Sequence, residues 1–220
     1  MRRRSAPFSA RLFVVGGQSR KVGKTTLVVD LIRAFPKTRW AAVKITPYIE
    51  VGCPVVGPDC NCAASAHTYA IRQESERSGN SDRLNMVDTE RYLAAGAERA
   101  FWVRTKEGQL KDALDPLDAM LQGAENVIIE SDAIVGFWKP DLFLMVLDPS
   151  AADFKPSARV ALRLVDIFVF RSPKEGSKAA TRLPLFVNSR PAFLQRLGTP
   201  LPQDLVRLVR QRFRHTPHPN

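Results

Sequence analysis

Gly23-Lys24-Thr25-Thr26 puts an ammonium and two hydroxyls where the chain passes from an apolar segment, Leu12 to Val15, through a glycine-bearing loop into an apolar stretch, Thr25 to Ala34. That combination suits a polyphosphate. Backbone N–H groups of such a loop, at a helix N-terminus, wrap phosphate oxygens, and the helix dipole favours negative charge there. In a P-loop of this kind the lysine, here Lys24, reaches the β- and γ-phosphates, and the first hydroxyl after it, Thr25, ligates Mg²⁺. The expected phosphate cradle is Gly17, Gln18, Ser19, Arg20, Lys21, Val22, Gly23, Lys24, Thr25 and Thr26. The competing reading is an ordinary strand–turn–helix corner.

The spacing departs from the standard one. Counting back from Gly23, the first glycine is due at Gln18, whereas Gly17 stands one place earlier. Deviant P-loops carry a second lysine five residues before the invariant one; that position is Ser19 here, so Lys21 is not that lysine. Arg20 and Lys21 are read either as phosphate contacts or as a solvated loop.

A second candidate is Glu130, which closes the apolar run Asn126 to Ile129. An acid at the carboxyl end of a buried strand stands where a P-loop protein needs a group to hold Mg²⁺ or its water. Asp132 reads either as part of that site or as a cap on the next turn.

A third cluster carries metal chemistry. The three cysteines, Cys53, Cys60 and Cys62, fall close together, and His67 follows. Three thiolates and an imidazole form a tetrahedral zinc set, structural because no position stays open. Clustered thiols in a reducing compartment argue for metal over a disulfide. The alternative is incidental cysteines.

The elements that must position these groups alternate. Strands are expected over Leu12–Val15, Arg39–Ile45, Ala100–Thr105, Asn126–Ser131, Asp141–Leu147, Asp166–Phe170 and Leu183–Val187. Helices are expected over Thr25–Ala34, Asp88–Ala97, Leu110–Leu121, Ser157–Leu164 and Gln203–Phe213. Alternation of this kind predicts a three-layer α/β domain around a mostly parallel sheet, with its site at the strand carboxyl ends. Lys44 lies near one such end. Asn188 lies at another, as a nucleobase contact or as a turn residue. The 220 residues are read as a single P-loop domain, residues 1–220, with a metal-bearing insertion over about 47–87.

Composition narrows the function classes. Apolar residues make up 45% of the chain, as in a globular protein, and no apolar run is long enough to cross a bilayer. The basic N-terminus leads into the P-loop strand, which cleavage of a signal peptide would remove, so a cytoplasmic location is expected. The net charge of +11, with arginines in Arg2–Arg4 and at Arg207, Arg210, Arg212 and Arg214, attracts phosphate-bearing ligands. It does not exclude nucleic acid, but no recognition motif for nucleic acid accompanies it.

Several landmarks together resemble the family of molybdopterin-guanine dinucleotide biosynthesis protein B, a P-loop GTP-binding family. The matching pieces are GKTTL from Gly23, AVKI ending at Ile45, VDTERYLAAGA from Val87 and NVIIES from Asn126, in that order. Ile45 stands where that family has histidine, and Ser131 where it has glycine. The resemblance implies phosphate and Mg²⁺ roles for Lys24 and Thr25, places Asp88 and Glu130 near the γ-phosphate and metal, and turns Lys44 toward the same site. The expected function is then a Mg²⁺-dependent nucleotide-binding protein, a slow GTPase in molybdenum cofactor biosynthesis or delivery, with Lys24, Asp88 and Glu130 catalytic. Asp88 is the candidate for positioning water. Expected partners are a GTP or ATP nucleotide, a cofactor-biosynthesis protein and a second copy of the chain as a homodimer, with no membrane. Two alternatives stand: a small-molecule kinase using ATP, and a nucleotide-switched binding module with a zinc-clamped partner loop.

Overall fold

In a computed structural model, the structure describes residues 4–5, 9–48, 68–74, 87–151, 153–172, 190–196 and 198–213. The strands are β1 (Arg4–Ser5), β2 (Arg11–Gly17), β3 (Trp40–Tyr48), β4 (Tyr69–Glu74), β5 (Arg99–Lys106), β6 (Asn126–Glu130), β7 (Trp138–Lys139), β8 (Leu142–Leu147), β9 (Ile167–Ser172) and β10 (Ala192–Arg196). The helices are α1 (Lys24–Ala34), α2 (Asp88–Ala94), α3 (Leu114–Leu121), α4 (Pro156–Ala161) and α5 (Gln203–Arg212).

Among the described residues, eight strands form one sheet in the order β10-β9-β8-β2-β6-β3-β5-β4, and β1 pairs with β7 apart from it. The pairs in the large sheet are parallel except β4 with β5. Parallel strands buried on both faces read as continuous apolar runs, and β6 and β8 are buried at every position.

Two hydrophobic clusters lie on opposite faces of the sheet. One packs Leu117 and Leu121 of α3 and Ala158 and Ala161 of α4 against the inward residues of β2, β6 and β8. The other packs Leu27, Val28, Leu31 and Ile32 of α1, Tyr92 of α2 and Leu205 and Val209 of α5 against the alternate residues. Three layers result, as the alternation of elements predicts. Registers then fix what meets at the carboxyl ends: Glu130 lies opposite Val15 on one side and Lys44 on the other.

The structure departs from the sequence reading in three places. Tyr69–Glu74, inside the stretch read as an insertion with little periodicity, is an antiparallel edge strand on β5. The expected helix over 110–121 begins as a 3₁₀ turn, Leu110–Ala113, and becomes α-helical at Leu114. A proline at residue 116 explains this, since proline is tolerated only in the first turn of a helix. Strand β3 runs on to Tyr48 through Pro47. Its pairing with β6 ends at Lys44, so beyond that point it has a partner on one side only, where proline is tolerated. The strand expected over 183–187, Asn188 and the residues Cys53, Cys60, Cys62 and His67 lie outside the described residues. No helix among the described residues is long and apolar enough to cross a membrane.

Candidate functional site

Strand β2 ends at Gly17 and α1 begins at Lys24, and the six residues between them fold tightly back. Gly23 has φ 100°, a left-handed conformation that glycine adopts without a Cβ penalty. Lys21 is left-handed too, at φ 59°. At Gly17 the reason for glycine is space: a Cβ there would stand 2.6 Å from Val22 Cγ1 and 2.7 Å from Lys24 Cγ. The stem of Lys24 therefore lies across Gly17, and its ammonium donates to the Ser19 carbonyl at 3.1 Å. Burial, and after it the nearby Lys155 ammonium, holds the Lys24 pKa below the usual lysine value. A charge crowded in this way gains when an anion arrives.

The candidate phosphate residues divide into two groups. Ser19, Gly23, Lys24, Thr25 and Thr26 are partly exposed along the loop and the first turn of α1, and Arg20 and Lys21 are exposed. Gln18 and Val22 turn inward. Val22 belongs to the core under α1. Gln18 is 1% exposed, and its backbone N–H donates to the Val146 carbonyl at 2.9 Å. Its side-chain amide donates to the carbonyls of Ala151 (2.7 Å) and Asp153 (3.1 Å) and accepts the Asp148 N–H (3.0 Å). The residue that makes the loop one longer than standard is thus a plug fastening the loop to the 148–155 segment. Gln18→Ala is expected to strand these groups and lower stability by about 2–3 kcal/mol. Hydrogen exchange checks this: the Asp148 amide loses protection while amides of β6 keep theirs.

Beside the first turn of α1, a polar cluster forms at the ends of β6 and β3. Thr25 Oγ1 donates to Glu130 Oε2 at 2.7 Å. The Lys44 ammonium pairs with Asp88 at the start of α2, and lies 3.3 Å from both Glu130 Oε1 and Thr25 Oγ1. The structure thus brings together Lys44, Asp88, Glu130 and Thr25. Cys53, Cys60, Cys62, His67 and Asn188 lie outside the described residues, among which no cluster of three or more His, Cys, Asp or Glu could hold a metal.

A cation among two carboxylates and a hydroxyl shows what this donor set accepts. Oxygen ligands suit Mg²⁺, which takes one or two carboxylates and completes its shell with water and phosphate. Thr25 and Glu130 would hold it, and Lys44 marks the place where positive charge is stabilised. Mg²⁺ held there would supply positive charge to offset the negative charge of phosphate oxygens.

Sequence reasoning missed three residues here, Tyr92, Lys155 and Arg171. Tyr92 is fully buried on α2, and its hydroxyl donates to Glu130 Oε2. Its helical spacing reads as core, and only the register of α2 over β6 reveals the hydrogen bond. Burial first, then the Glu130 charge, pushes the phenol well above the usual tyrosine value. The folded protein then keeps a proton that the unfolded chain releases near pH 10, so stability from this group is complete below that pH. It is lost as pH rises toward the raised native value. Alkaline ultraviolet titration is expected to show one of the three tyrosines ionising only as the chain unfolds, a step absent in Tyr92→Phe.

Asp132 is not the turn cap. Ser131 Oγ takes that part, accepting the N–H groups of Ala133 and Ile134 at 3.2 and 3.4 Å. Asp132 Oδ1 instead accepts the Gly17 N–H at 2.6 Å, and Oδ2 pairs with the Lys155 ammonium. Arg171, at the end of β9, donates to the Gly23 carbonyl at 3.1 Å and lies 3.8 Å from Asp30. Burial holds its pKa below the usual arginine value. A basic residue closing an apolar parallel strand was the available signal.

Next to Lys44 and Asp88 lies a cavity of about 290 Å³, lined also by Val87, Thr89 and Trp102. The guanidinium groups of Arg72 and Arg104 lie 5.3 and 5.4 Å from the Trp102 ring centre.

No family model matches the chain, and no curated relative does. Among solved structures, the chain is similar to HypB from Helicobacter pylori, solved in complex with nickel, at 13% identity and a TM-score of 0.55, over 96% of this chain and 92% of that one. It is also similar to LpxK from Aquifex aeolicus, solved in complex with ATP, at 17% identity and a TM-score of 0.51. That match covers 88% of this chain and 56% of LpxK. Likeness at this level shows the fold alone, a mostly parallel α/β sheet with helices on its faces.

Proposed function

We propose that the protein binds a nucleoside triphosphate with Mg²⁺ across the loop from Gly17 to Thr26 and cleaves or transfers its terminal phosphoryl group. One observation carries the reading: Thr25, at the mouth of the phosphate loop, is hydrogen-bonded to Glu130, with Lys44 and Asp88 closing the same cluster. Phosphoryl transfer asks for positioning and charge neutralisation more than for covalent chemistry. Lys24 takes the β- and γ-phosphates, and Thr25 and Glu130 hold the metal. Tyr92 orients Glu130, and Asp88, held by Lys44, faces the reacting end. A slow GTPase fits a site with this single candidate for positioning water. A role in molybdenum cofactor assembly rests on the sequence resemblance alone.

A second reading, a small-molecule kinase, has an observation of its own. The cavity beside Lys44 and Asp88 is of a size for an acceptor and shares those two residues with the cluster. LpxK, solved with ATP, shares the fold, and that likeness alone does not choose between the two. Nucleotide labelled at the γ-phosphate separates the readings when the protein is incubated with an extract of small metabolites. Label released only as inorganic phosphate supports the GTPase. Label in an organic product supports the kinase. Label retained on the nucleotide in both settings contradicts both.

A further inference from the structure

The phosphate loop has no second lysine at Ser19, where deviant loops carry one, and it is one residue longer than standard. Both departures meet at one place. Gln18 is buried as a plug, and three side-chain hydrogen bonds tie it to the segment from Asp148 to Asp153. The Lys155 N–H adds a fourth link, donating to the Gln18 carbonyl at 3.0 Å. The loop that leaves β8 is therefore clamped onto the phosphate loop, and it ends in a lysine.

That lysine points back toward the site. Its ammonium pairs with Asp132 Oδ2, while Asp132 Oδ1 accepts the N–H of Gly17. The stem of Lys24 lies on Gly17. One carboxylate thus links the Lys155 ammonium to the backbone of Gly17, on which the stem of Lys24 lies. The Asp132 side chain is 2% exposed, whereas that of Lys155 is 30% exposed. Asp132 is fixed and Lys155 keeps access to solvent and to a ligand. The two ammonium groups sense one another, for Lys155 is the largest charge effect lowering the Lys24 pKa.

We propose that Lys155 is a second phosphate-contacting lysine, delivered from the 148–155 loop rather than from the phosphate loop, and that it takes the terminal phosphate of a bound nucleoside triphosphate. The inference rests on the nucleotide-binding reading above. Before nucleotide binds, Asp132 neutralises the ammonium and keeps it over the start of the loop. A terminal phosphate, with more charge than one carboxylate, draws it across. The Gln18 plug sets the height of the loop, so the unusual spacing and the displaced lysine are one device.

The test compares a non-hydrolysable triphosphate with the corresponding diphosphate, each with Mg²⁺, on the full chain. Lys155→Gln is expected to weaken the triphosphate by about tenfold or more and the diphosphate by no more than about twofold. Lys155→Arg, which keeps the charge, is expected to restore most of the triphosphate affinity. Equal losses for both ligands in a folded Lys155→Gln protein overturn the proposal, because they mark a structural lysine. Unchanged affinities overturn it as well. If the natural sequence binds neither ligand, the nucleotide-binding reading fails first and this one falls with it, an outcome distinct from selective failure at Lys155.

Discussion

Lys24→Ala is expected to weaken nucleotide binding by a few hundredfold while leaving the fold intact. The ammonium offers charge-assisted hydrogen bonds to two phosphates, worth about 1.5–3 kcal/mol each, and about 1.4 kcal/mol is a tenfold change in affinity. Among the described residues, its hydrogen-bond partner is a neutral carbonyl, that of Ser19. Burial and Lys155 both disfavour its charge in the folded protein. The group is therefore held at a cost in stability that a ligand relieves. Lys24→Met, which keeps the stem lying on Gly17, is expected to melt no lower than the natural protein, and thermal unfolding without ligand checks it. Loss of binding accompanied by a large fall in melting temperature would place Lys24 among structural residues.

Glu130→Ala is expected to act on both function and stability. The carboxylate is 5% exposed and receives the Thr25 hydroxyl, the Tyr92 hydroxyl and the Lys44 ammonium. Removing it strands a buried phenol and leaves Lys44 with Asp88 as its remaining acid. Breaking a buried charged network typically costs about 3–5 kcal/mol. Chemical denaturation is expected to show a loss of that order, and the Mg²⁺-dependent part of nucleotide affinity is expected to vanish. Glu130→Gln separates the two effects. It keeps an acceptor for Tyr92 and Thr25 but loses the charge, so stability recovers in part while Mg²⁺ dependence does not. A Glu130→Gln protein with full Mg²⁺ dependence would remove Glu130 from the metal site.

How much of this was legible in the sequence depends on whether the signal was local. Leu12–Val15, Asn126–Ser131 and Asp141–Leu147 read as buried strands because parallel strands covered on both faces need unbroken apolar runs, and the sheet is built on them. The candidate residues Lys24, Thr25 and Glu130 stood out because each follows such a run at a chain reversal. Tyr69–Glu74 and Ala192–Arg196 escaped notice because edge strands carry polar residues such as Arg72, Gln73 and Gln195, and these blur the alternation. Tyr92 looks like any apolar residue on a helix face. Only the packing of α2 over β6 turns its hydroxyl toward Glu130.

Lys155, and its pairing with Asp132, were illegible for a different reason. Neither residue lies in a periodic element, and their pairing joins loops that follow two different strands. The Gln18 plug belongs with them. A one-residue excess in the loop registers in the sequence as an irregularity. Its meaning appears only when β2 and β8 are seen side by side, with the loop after β8 hanging over the loop after β2.

The central claim is that Gly17 to Thr26, with Glu130, forms a Mg²⁺-dependent nucleotide site. Calorimetric titration of the full chain with GTP and with ATP, each with and without Mg²⁺, beside Lys24→Ala, tests it most directly. One nucleotide is expected to bind per chain, tighter with Mg²⁺, and not to bind Lys24→Ala. A preference for GTP favours the GTPase reading, and a preference for ATP favours the kinase. Absence of binding by either nucleotide, or binding unchanged in Lys24→Ala, would contradict the account.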